Sequence, residues 1–168
     1  MGLSADHIVV NVQGDEPLIP PAVINQVADN LAISPDAGVA TLFERITRAE
    51  ELHNPNVVKL VANQQQLALY FSRAPIPWDR DNFALSLTAL PADTVFCRHI
   101  GIYAYRTAQL NHFVRWPVAP LEAIEKLEQL RFMWNNVAIH VAEALEPVPG
   151  GVDTESDLQA VIEFIKNQ

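Results

Sequence analysis

The hydrophobic pattern of this chain alternates between short strand-like runs and longer helical repeats. His7–Val12 (HIVVNV) is a nearly continuous apolar run, which is typical of a strand buried in a parallel sheet. Pro20 and Pro21 then open a helix in which apolar residues recur at helical spacing. Further strands are predicted at Gly38–Phe43, Val57–Val61, Leu67–Ser72, Thr94–Tyr105 and Ala138–Ala142, and further helices at Thr107–Val114, at Pro120–Trp134 and from about Thr154.

This order predicts one α/β domain over residues 1–168. Its sheet should be mostly parallel but mixed and flanked by helices, with an antiparallel hairpin around the turn Asn63–Gln66. A central strand rarely opens a domain, and only a short polar lead precedes His7–Val12. We therefore expect the natural protein to have further material before this strand.

Composition and charge narrow the classes of function. The 168 residues carry a formal net charge of −9, which disfavours binding to nucleic acid phosphates. No apolar run approaches the ~20 residues that span a membrane, and no secretory signal opens the chain. The single cysteine, Cys97, excludes an internal disulfide framework and is interpreted as a buried thiol, so the cytoplasm is the expected compartment. An anionic substrate would need a metal ion or a few arginines close to it.

Two aspartates lie where a predicted strand ends and where a helix begins. Asp15 follows the first strand in QGDEP, and Asp153 precedes the last helix in GGVDT. Ligands of α/β sheets bind beyond the carboxyl ends of strands, and Mg²⁺ prefers carboxylate oxygens together with substrate phosphates. The alternatives are a solvated acidic turn at Asp15 and a helix N-cap at Asp153.

The segment FCRHIGIYAY places a polar and aromatic set on one face of its strand. By strand alternation, Cys97, His99, Gly101, Tyr103 and Tyr105 share one face, and the residues between them share the other. This face could bind a hydroxylated ligand. The alternative is a face covered by a helix, with internally hydrogen-bonded His and Tyr.

The predicted helix Pro120–Trp134 has charges within its apolar arc. Glu128 and Arg131 interrupt that arc, and a buried charge is costly unless it is paired. Either these two residues pair with each other, or Glu128 contacts a ligand.

The segment from Leu67 to Asp81 also offers candidate binding groups. Arg73 ends a strand, where a guanidinium can bind a carboxylate through two hydrogen bonds. Trp78 and Arg80 in the following loop could contact another subunit. Lys59, within its strand, is compatible with a solvated edge residue.

Six segments together resemble one enzyme family. VNVQGDEP, NPNVVKLV, LYFSRAPIPWDRD, RHIGIYAYR, PLEAIEKLEQLR and GVDTESDL occur in the order found in 3-deoxy-manno-octulosonate cytidylyltransferases, also called CMP-Kdo synthetases. The resemblance covers the chain from about Asp6 to about Lys166. It implies a fold of the nucleotide-diphospho-sugar transferase type and a homodimer in the cytoplasm.

The resemblance also implies a reaction and a set of site residues. The family joins CTP and Kdo to give CMP-Kdo and diphosphate for lipopolysaccharide synthesis. By motif, Asp15 and Asp153 would be the Mg²⁺ ligands. The sugar would be bound by Gln13, Arg73, His99, Tyr103, Glu128 and Gln129.

The chain departs from the family pattern at its beginning. No segment matches the family's opening strand and basic loop, which hold the CTP phosphates. The expected piece is therefore the C-terminal two-thirds of a cytidylyltransferase, truncated at its N-terminus. Two alternatives stay open: a non-catalytic sugar-binding and dimerising remnant, and a cytidylyltransferase for sialic acid.

Overall fold

The computed structural model describes residues 3–14, 16–149, 151–152 and 154–166. The chain forms six strands and seven helices within this part. The strands are β1 Ile8–Asn11, β2 Val39–Arg45, β3 Lys59–Ala62, β4 Ala68–Ser72, β5 Cys97–Arg106 and β6 Ile139–Glu143. The helices are α1 Pro21–Ile33, α2 Ala49–His53, α3 Arg80–Phe83, α4 Thr107–Phe113, α5 Pro120–Glu125, α6 Gln129–Trp134 and α7 Glu155–Lys166. None of the helices in the described part of the chain is long and apolar enough to cross a bilayer.

The sheet is organised around the long strand β5. Its strand order is β4-β3-β5-β2-β6, and β1 also pairs with β5. β2 lies along one side of β5, while β3 pairs with the first residues of β5 and β1 with the last four on the other side. Strands β1, β2, β3 and β6 run in one direction, and β4 and β5 run in the opposite one. The predicted mixed sheet with flanking helices is confirmed. The expected predominance of parallel pairing is wrong, because among the described strands only β2 and β6 pair in parallel and the other four pairings are antiparallel.

The first strand corrects one expectation. The run His7–Val12 was expected to sit among parallel neighbours, but β1 pairs antiparallel with β5. Ile8, Val9 and Val10 are only partly buried, Asn11 is exposed, and β5 is the one partner of β1 among the described strands. The apolar run arises because Ile8 and Val10 pack against the core on the α1 side, whereas Val9 lines a cavity beside β5.

Two hydrophobic layers cover the two faces of the sheet. On one face, Val23, Val27 and Leu31 of α1 are fully buried against Ile100 and Ile102 of β5. Each such side chain contributes roughly 1.5–3 kcal/mol by burial. On the other face, β4, α6 and the odd-numbered side of β5 pack together through Phe71, Tyr103, Leu130 and Phe132. The two-residue alternation predicted for this strand is confirmed.

The predicted hairpin is also confirmed. β3 and β4 pair antiparallel, and the Asn63 side chain accepts the backbone N–H groups of Gln65 and Leu67. Gln66 adopts a φ of 59°, and its carbonyl accepts the N–H of Val141 at 2.8 Å. The hairpin turn therefore contacts β6.

The predicted single helix Pro120–Trp134 is wrong. The helix is interrupted between α5 and α6. Lys126 has a φ of 56° and caps the end of α5. Consequently, the apolar arc of a straight helix is not the buried face: Leu127 and Leu130 are buried, but Ile124 is 77% exposed.

The break also changes the predicted ion pair. Arg131 pairs with Glu122, not with Glu128: its Nε donates at 2.7 Å and its Nη2 makes a second contact to the same carboxylate. Glu122 Oε2 also accepts the N–H of Ala119, a residue with no side-chain oxygen to cap the helix. A single carboxylate thus satisfies the helix start and neutralises Arg131.

Candidate sugar-binding site

One cavity of about 670 Å³ opens beside β5. Its walls come from β1, β5, the end of β4, helix α4 and the α5–α6 turn. The lining residues are Val9, Val10, Asn11, Gln13, Arg73, His99, Gly101, Tyr103, Tyr105, Leu110, Phe113, Lys126, Leu127, Glu128, Gln129 and Phe132.

The sheet leaves space for this cavity in the middle of β5. β1 ends opposite Tyr103 and β3 begins opposite Arg98, so neither strand covers the stretch between these two residues. At Gly101, an added Cβ would lie 3.3 Å from Glu16 Oε1 and 3.7 Å from Gln13 Nε2. The glycine therefore admits two polar side chains from the segment after β1.

His99 is held from the side of β2. Its Nε2 lies 3.0 Å from the hydroxyl of Thr41 on β2, and its ring makes an edge contact with Phe71 at 5.3 Å. Burial lowers the pKa of His99 to about 3. The imidazole is therefore neutral at pH 7 and lines the cavity as a hydrogen-bonding group without charge.

An aromatic row forms the floor of the cavity. Tyr103 packs on His99 at 5.2 Å and stacks on Tyr105 at 5.6 Å, and Tyr105 stacks on Phe132 at 5.6 Å. Burial, with a smaller contribution from the neighbouring charge of Glu128, raises the pKa of both tyrosines. Each phenol therefore keeps its proton at pH 7 and can donate a hydrogen bond.

Arg73 joins the end of β4 to the α5–α6 turn. Its Nε donates to the Glu125 carbonyl at 2.7 Å, and its Nη1 donates to the Pro55 carbonyl at 2.9 Å. In return, the Glu125 carboxylate accepts the Arg73 N–H at 3.0 Å and the Ser72 hydroxyl at 2.7 Å. These partners of the guanidinium are carbonyls, and no described carboxylate forms an ion pair with it. Its positive charge remains available to an anionic ligand.

The α5–α6 turn supplies the opposite wall. Lys126, Glu128 and Gln129 all line the cavity; Gln129 is buried and the other two are exposed. Among the described residues, no protein hydrogen bond is made by the side chains of Glu128 and Gln129. Two cations, Arg73 and Lys126, and two free polar side chains therefore converge on one space.

The structure brings together all six residues predicted for sugar binding. Gln13, Arg73, His99, Tyr103, Glu128 and Gln129 come from four separate segments of the chain, and all line the same cavity. Their roles toward a ligand stay predictions. The helical pattern of Pro120–Trp134 is compatible either with an ion pair of Glu128 or with a ligand contact. The position of Glu128 in the cavity fits the ligand contact.

The predicted magnesium ligands, Asp15 and Asp153, lie outside the described residues. Among residues 3–14, 16–149, 151–152 and 154–166, no group of three or more His, Cys, Asp or Glu side chains is arranged to hold a metal ion. The magnesium site stays a prediction from sequence.

Three residues that support the site were not predicted from sequence. Thr41 contacts His99, Glu125 fixes the end of β4, and Lys59 is fully buried rather than a solvated edge residue. Lys59 Nζ donates to the carbonyls of Asn54, Val57 and Arg73, so it helps to hold the backbone at Arg73. No local pattern distinguishes these residues, because their partners are distant in sequence or are backbone atoms.

Comparison with protein families gives a match over most of the chain. The family described as cytidylyltransferase matches residues 1–139. The chain belongs to the cytidylyltransferase family. The mixed sheet with flanking helices is therefore this family's fold as it occurs in this chain.

Two relatives of known name are similar to this chain over nearly its whole length. A 3-deoxy-manno-octulosonate cytidylyltransferase of Cellvibrio japonicus is 65% identical over 162 residues, which are 96% of this chain and 64% of that protein. One of Pseudomonas syringae pv. tomato is 61% identical over 161 residues, which are 96% of this chain and 63% of that protein. This cytidylyltransferase-family chain thus spans a little under two thirds of the length of these relatives.

A solved structure shows the same fold. The structure of a CMP:2-keto-3-deoxy-manno-octonic acid synthetase complexed with CTP matches 98% of this chain and 64% of its own, at 36% identity and a TM-score of 0.85. The relatives named here all act on the eight-carbon acidic sugar in their names.

Proposed function

We propose that this chain is the sugar-binding part of an enzyme that activates 3-deoxy-manno-octulosonate (Kdo) with CTP for lipopolysaccharide biosynthesis. In this reaction the anomeric hydroxyl oxygen of Kdo forms a bond to the α-phosphorus of CTP. The bond from that phosphorus to the β-phosphate bridging oxygen breaks, diphosphate leaves, and the hydroxyl proton passes to solvent. The observation that carries the proposal is the convergence of the six residues predicted for sugar binding on one cavity.

The chemistry of the cavity suits an acidic polyhydroxylated sugar. Arg73 and Lys126 supply positive charge for the carboxylate in a chain whose net charge is −9. Glu128 accepts hydrogen bonds from hydroxyls, Gln13 and Gln129 both donate and accept them, and Tyr103 donates one. The rings of Tyr103 and Tyr105 offer an apolar surface to the C–H face of the sugar. The protein's contribution is to hold the sugar in one orientation before attack.

Magnesium is the proposed cofactor, held by Asp15 and Asp153. Two carboxylates suit a hard divalent cation that also binds substrate phosphates. When bound, the ion would neutralise phosphate charge and lower the pKa of a coordinated hydroxyl. Asp15→Asn and Asp153→Asn in the longer protein should each lower turnover and weaken Mg²⁺ binding measured by calorimetry. Unchanged Mg²⁺ affinity in both variants would exclude these ligands.

Calorimetry on this chain tests the sugar site directly. We expect saturable Kdo binding, which Glu128→Ala weakens about tenfold or more, because loss of a charged hydrogen bond costs ~1.5–3 kcal/mol. Glu146→Ala is the matched control, since Glu146 is exposed and lies outside the cavity. Absence of Kdo binding to the folded wild-type chain would overturn the proposal.

Two further measurements separate the competing functions. Release of diphosphate from CTP and Kdo identifies an active transferase, whereas Kdo binding without CTP binding identifies a non-catalytic sugar-binding chain. N-acetylneuraminate in place of Kdo tests the alternative sialic-acid specificity, and we expect it to bind more weakly.

We also propose that the protein is a homodimer in the cytoplasm, because the family resemblance implies both. Exposed apolar side chains support self-association, among them Trp78 in the loop after β4 and Val114, Val118 and Ile124 near the α4–α6 helices. Sedimentation equilibrium should therefore detect a dimer, and a concentration-independent monomer would contradict it.

A further inference from the structure

The hydroxyl of Thr41 lies within hydrogen-bonding distance of three groups. Thr41 is fully buried on β2, and its Oγ1 is 2.7 Å from the carbonyl oxygen of Ile102, 3.1 Å from that of Ile100 and 3.0 Å from His99 Nε2. The carbonyls reach it because the β2–β5 register shifts between Thr41 and Leu42. Thr41 pairs with Tyr103 and Leu42 with Ile100, which leaves two residues of β5 between them without a partner on β2.

Counting protons assigns the direction of the contact with His99. A hydroxyl has one proton, and the carbonyl oxygens of Ile100 and Ile102 can only accept. If Thr41 donated its proton to His99, its lone pairs would face both carbonyl oxygens in a buried setting. The favourable arrangement is that Thr41 donates to a carbonyl, that of Ile102 being closer, and accepts a hydrogen bond from His99 Nε2–H.

The number of protons on the His99 ring also assigns the role of its second nitrogen, Nδ1. The neutral imidazole carries one proton, and that proton lies on Nε2, so Nδ1 is left as an acceptor. Burial keeps the ring neutral, because the pKa of His99 lies at about 3. Edge and tilted contacts with Phe71 and Tyr103 hold the ring plane.

We propose that Thr41 is a positioning residue that fixes His99 as its Nε2–H tautomer, so that Nδ1 accepts a hydrogen bond from a hydroxyl of the sugar in the cavity. The assignment of the tautomer stands on the protein geometry alone. Only the identity of the hydroxyl donor rests on the proposed function.

A tautomer measurement tests the first part without any ligand. The ¹⁵N shifts of the His99 ring are compared in the wild type, in Thr41→Ser, which keeps the hydroxyl, and in Thr41→Val, which keeps the shape but not the hydroxyl. We expect a protonated Nε2 in the wild type and Thr41→Ser, and a shift toward Nδ1–H in Thr41→Val. A protonated Nδ1 in the wild type overturns the assignment even if Thr41→Val does not fold. An unchanged tautomer in folded Thr41→Val shows that Thr41 does not set it.

Kdo affinity tests the second part. Calorimetry should give a Kd about fivefold higher for Thr41→Val, the loss expected for one hydrogen bond, and a Kd within about twofold of wild type for Thr41→Ser. Equal Kd values in all three proteins would overturn the role of Nδ1 in binding. A wild-type chain that binds no Kdo but shows the expected tautomer would refute the proposed function and leave the role of Thr41 in setting the tautomer intact.

Discussion

Glu125 and Arg73 exchange hydrogen bonds between side chain and backbone in both directions. The Glu125 carboxylate accepts the Arg73 N–H at 3.0 Å, and the Glu125 carbonyl accepts the Arg73 Nε–H at 2.7 Å. The first contact fixes the end of β4, and the second fixes the start of the α5–α6 turn. One pair of residues therefore sets the distance between two walls of the cavity.

Glu125→Ala should weaken both folding and sugar binding. The change leaves the Ser72 hydroxyl and the Arg73 N–H without their acceptor, which costs ~1–3 kcal/mol in the free energy of unfolding. Kdo affinity should fall as well, because the turn that carries Glu128 and Gln129 loses one attachment. Urea denaturation and calorimetry measure the two effects, with Glu146→Ala as the control. A variant with unchanged stability would show that this pair does not brace the turn.

The pairing of Arg131 can be decided by double-mutant cycles. Arg131 and Glu122 are mostly buried and hydrogen-bonded, and the guanidinium lies 4.1 Å from the centroid of the Phe113 ring. Glu122→Gln or Arg131→Met alone should destabilise the protein by ~3 kcal/mol, because each leaves the partner's charge buried and unpaired. The double variant should recover part of this loss.

A second double-mutant cycle, on Glu128 and Arg131, is the control for the cycle on Glu122 and Arg131. The Glu128 side chain is exposed and makes no hydrogen bond to the Arg131 guanidinium, and only the Glu128 carbonyl accepts the Arg131 backbone N–H, at 3.0 Å. Because side-chain substitutions leave this backbone contact in place, the coupling energy should stay below ~0.5 kcal/mol. A larger coupling for Glu128 than for Glu122 would contradict the structure and restore the pair first suggested by the sequence.

Stability should fall as the pH is lowered below about 6.5. Burial lowers the pKa of His99 to about 3 and also lowers that of His140. Between the folded and unfolded pKa values, the unfolded chain binds protons that the folded chain does not, so the free energy of unfolding decreases with falling pH. The slope is at most ~1.4 kcal/mol per pH unit for each histidine.

Urea denaturation at pH 7.5, 6.5, 5.75 and 5.0 measures this slope above the range where most carboxylates titrate. His99→Gln and His140→Gln should each flatten it. A free energy of unfolding that is constant from pH 7.5 to pH 5.0 would show that neither imidazole resists protonation in the folded state.

The strand and helix faces could be predicted from the sequence where side chains repeat with the period of a strand or a helix. The two faces of β5 follow from strict alternation, and this alternation alone places His99, Tyr103 and Tyr105 beside each other. The buried face of α1 follows from helical spacing in the same way. The sugar-binding set required the family resemblance, because its members come from distant segments.

Features imposed by tertiary contacts could not be predicted. No glycine or proline marks the interruption of the helix at Lys126. It is held by the Arg73 guanidinium, which donates to the carbonyls of Glu125 and Lys126, and by the ion pair between Glu122 and Arg131. Lys59 looked like a solvated residue because a sequence does not show that three backbone carbonyls surround its ammonium group. The metal hypothesis at Asp15 and Asp153 remains a prediction.

Lys126 offers a variant in which stability and binding should change in opposite directions. It holds a left-handed conformation, with φ 56° and ψ 49°, and its side chain lines the cavity. Glycine adopts this conformation without a Cβ penalty, so Lys126→Gly should raise the free energy of unfolding by up to ~1 kcal/mol. The loss of a cation should at the same time weaken Kdo binding by a few-fold.

Lys126→Asn separates the two contributions, because asparagine tolerates the left-handed region yet carries no charge. It should match Lys126→Gly in lost Kdo affinity while changing stability less. Unfolding and calorimetry on the three proteins measure both quantities. If both uncharged variants bind Kdo as tightly as the wild type, Lys126 does not contribute charge to the site, and Arg73 alone must hold the carboxylate. If Lys126→Gly is instead less stable, the left-handed turn carries no strain that glycine can relieve.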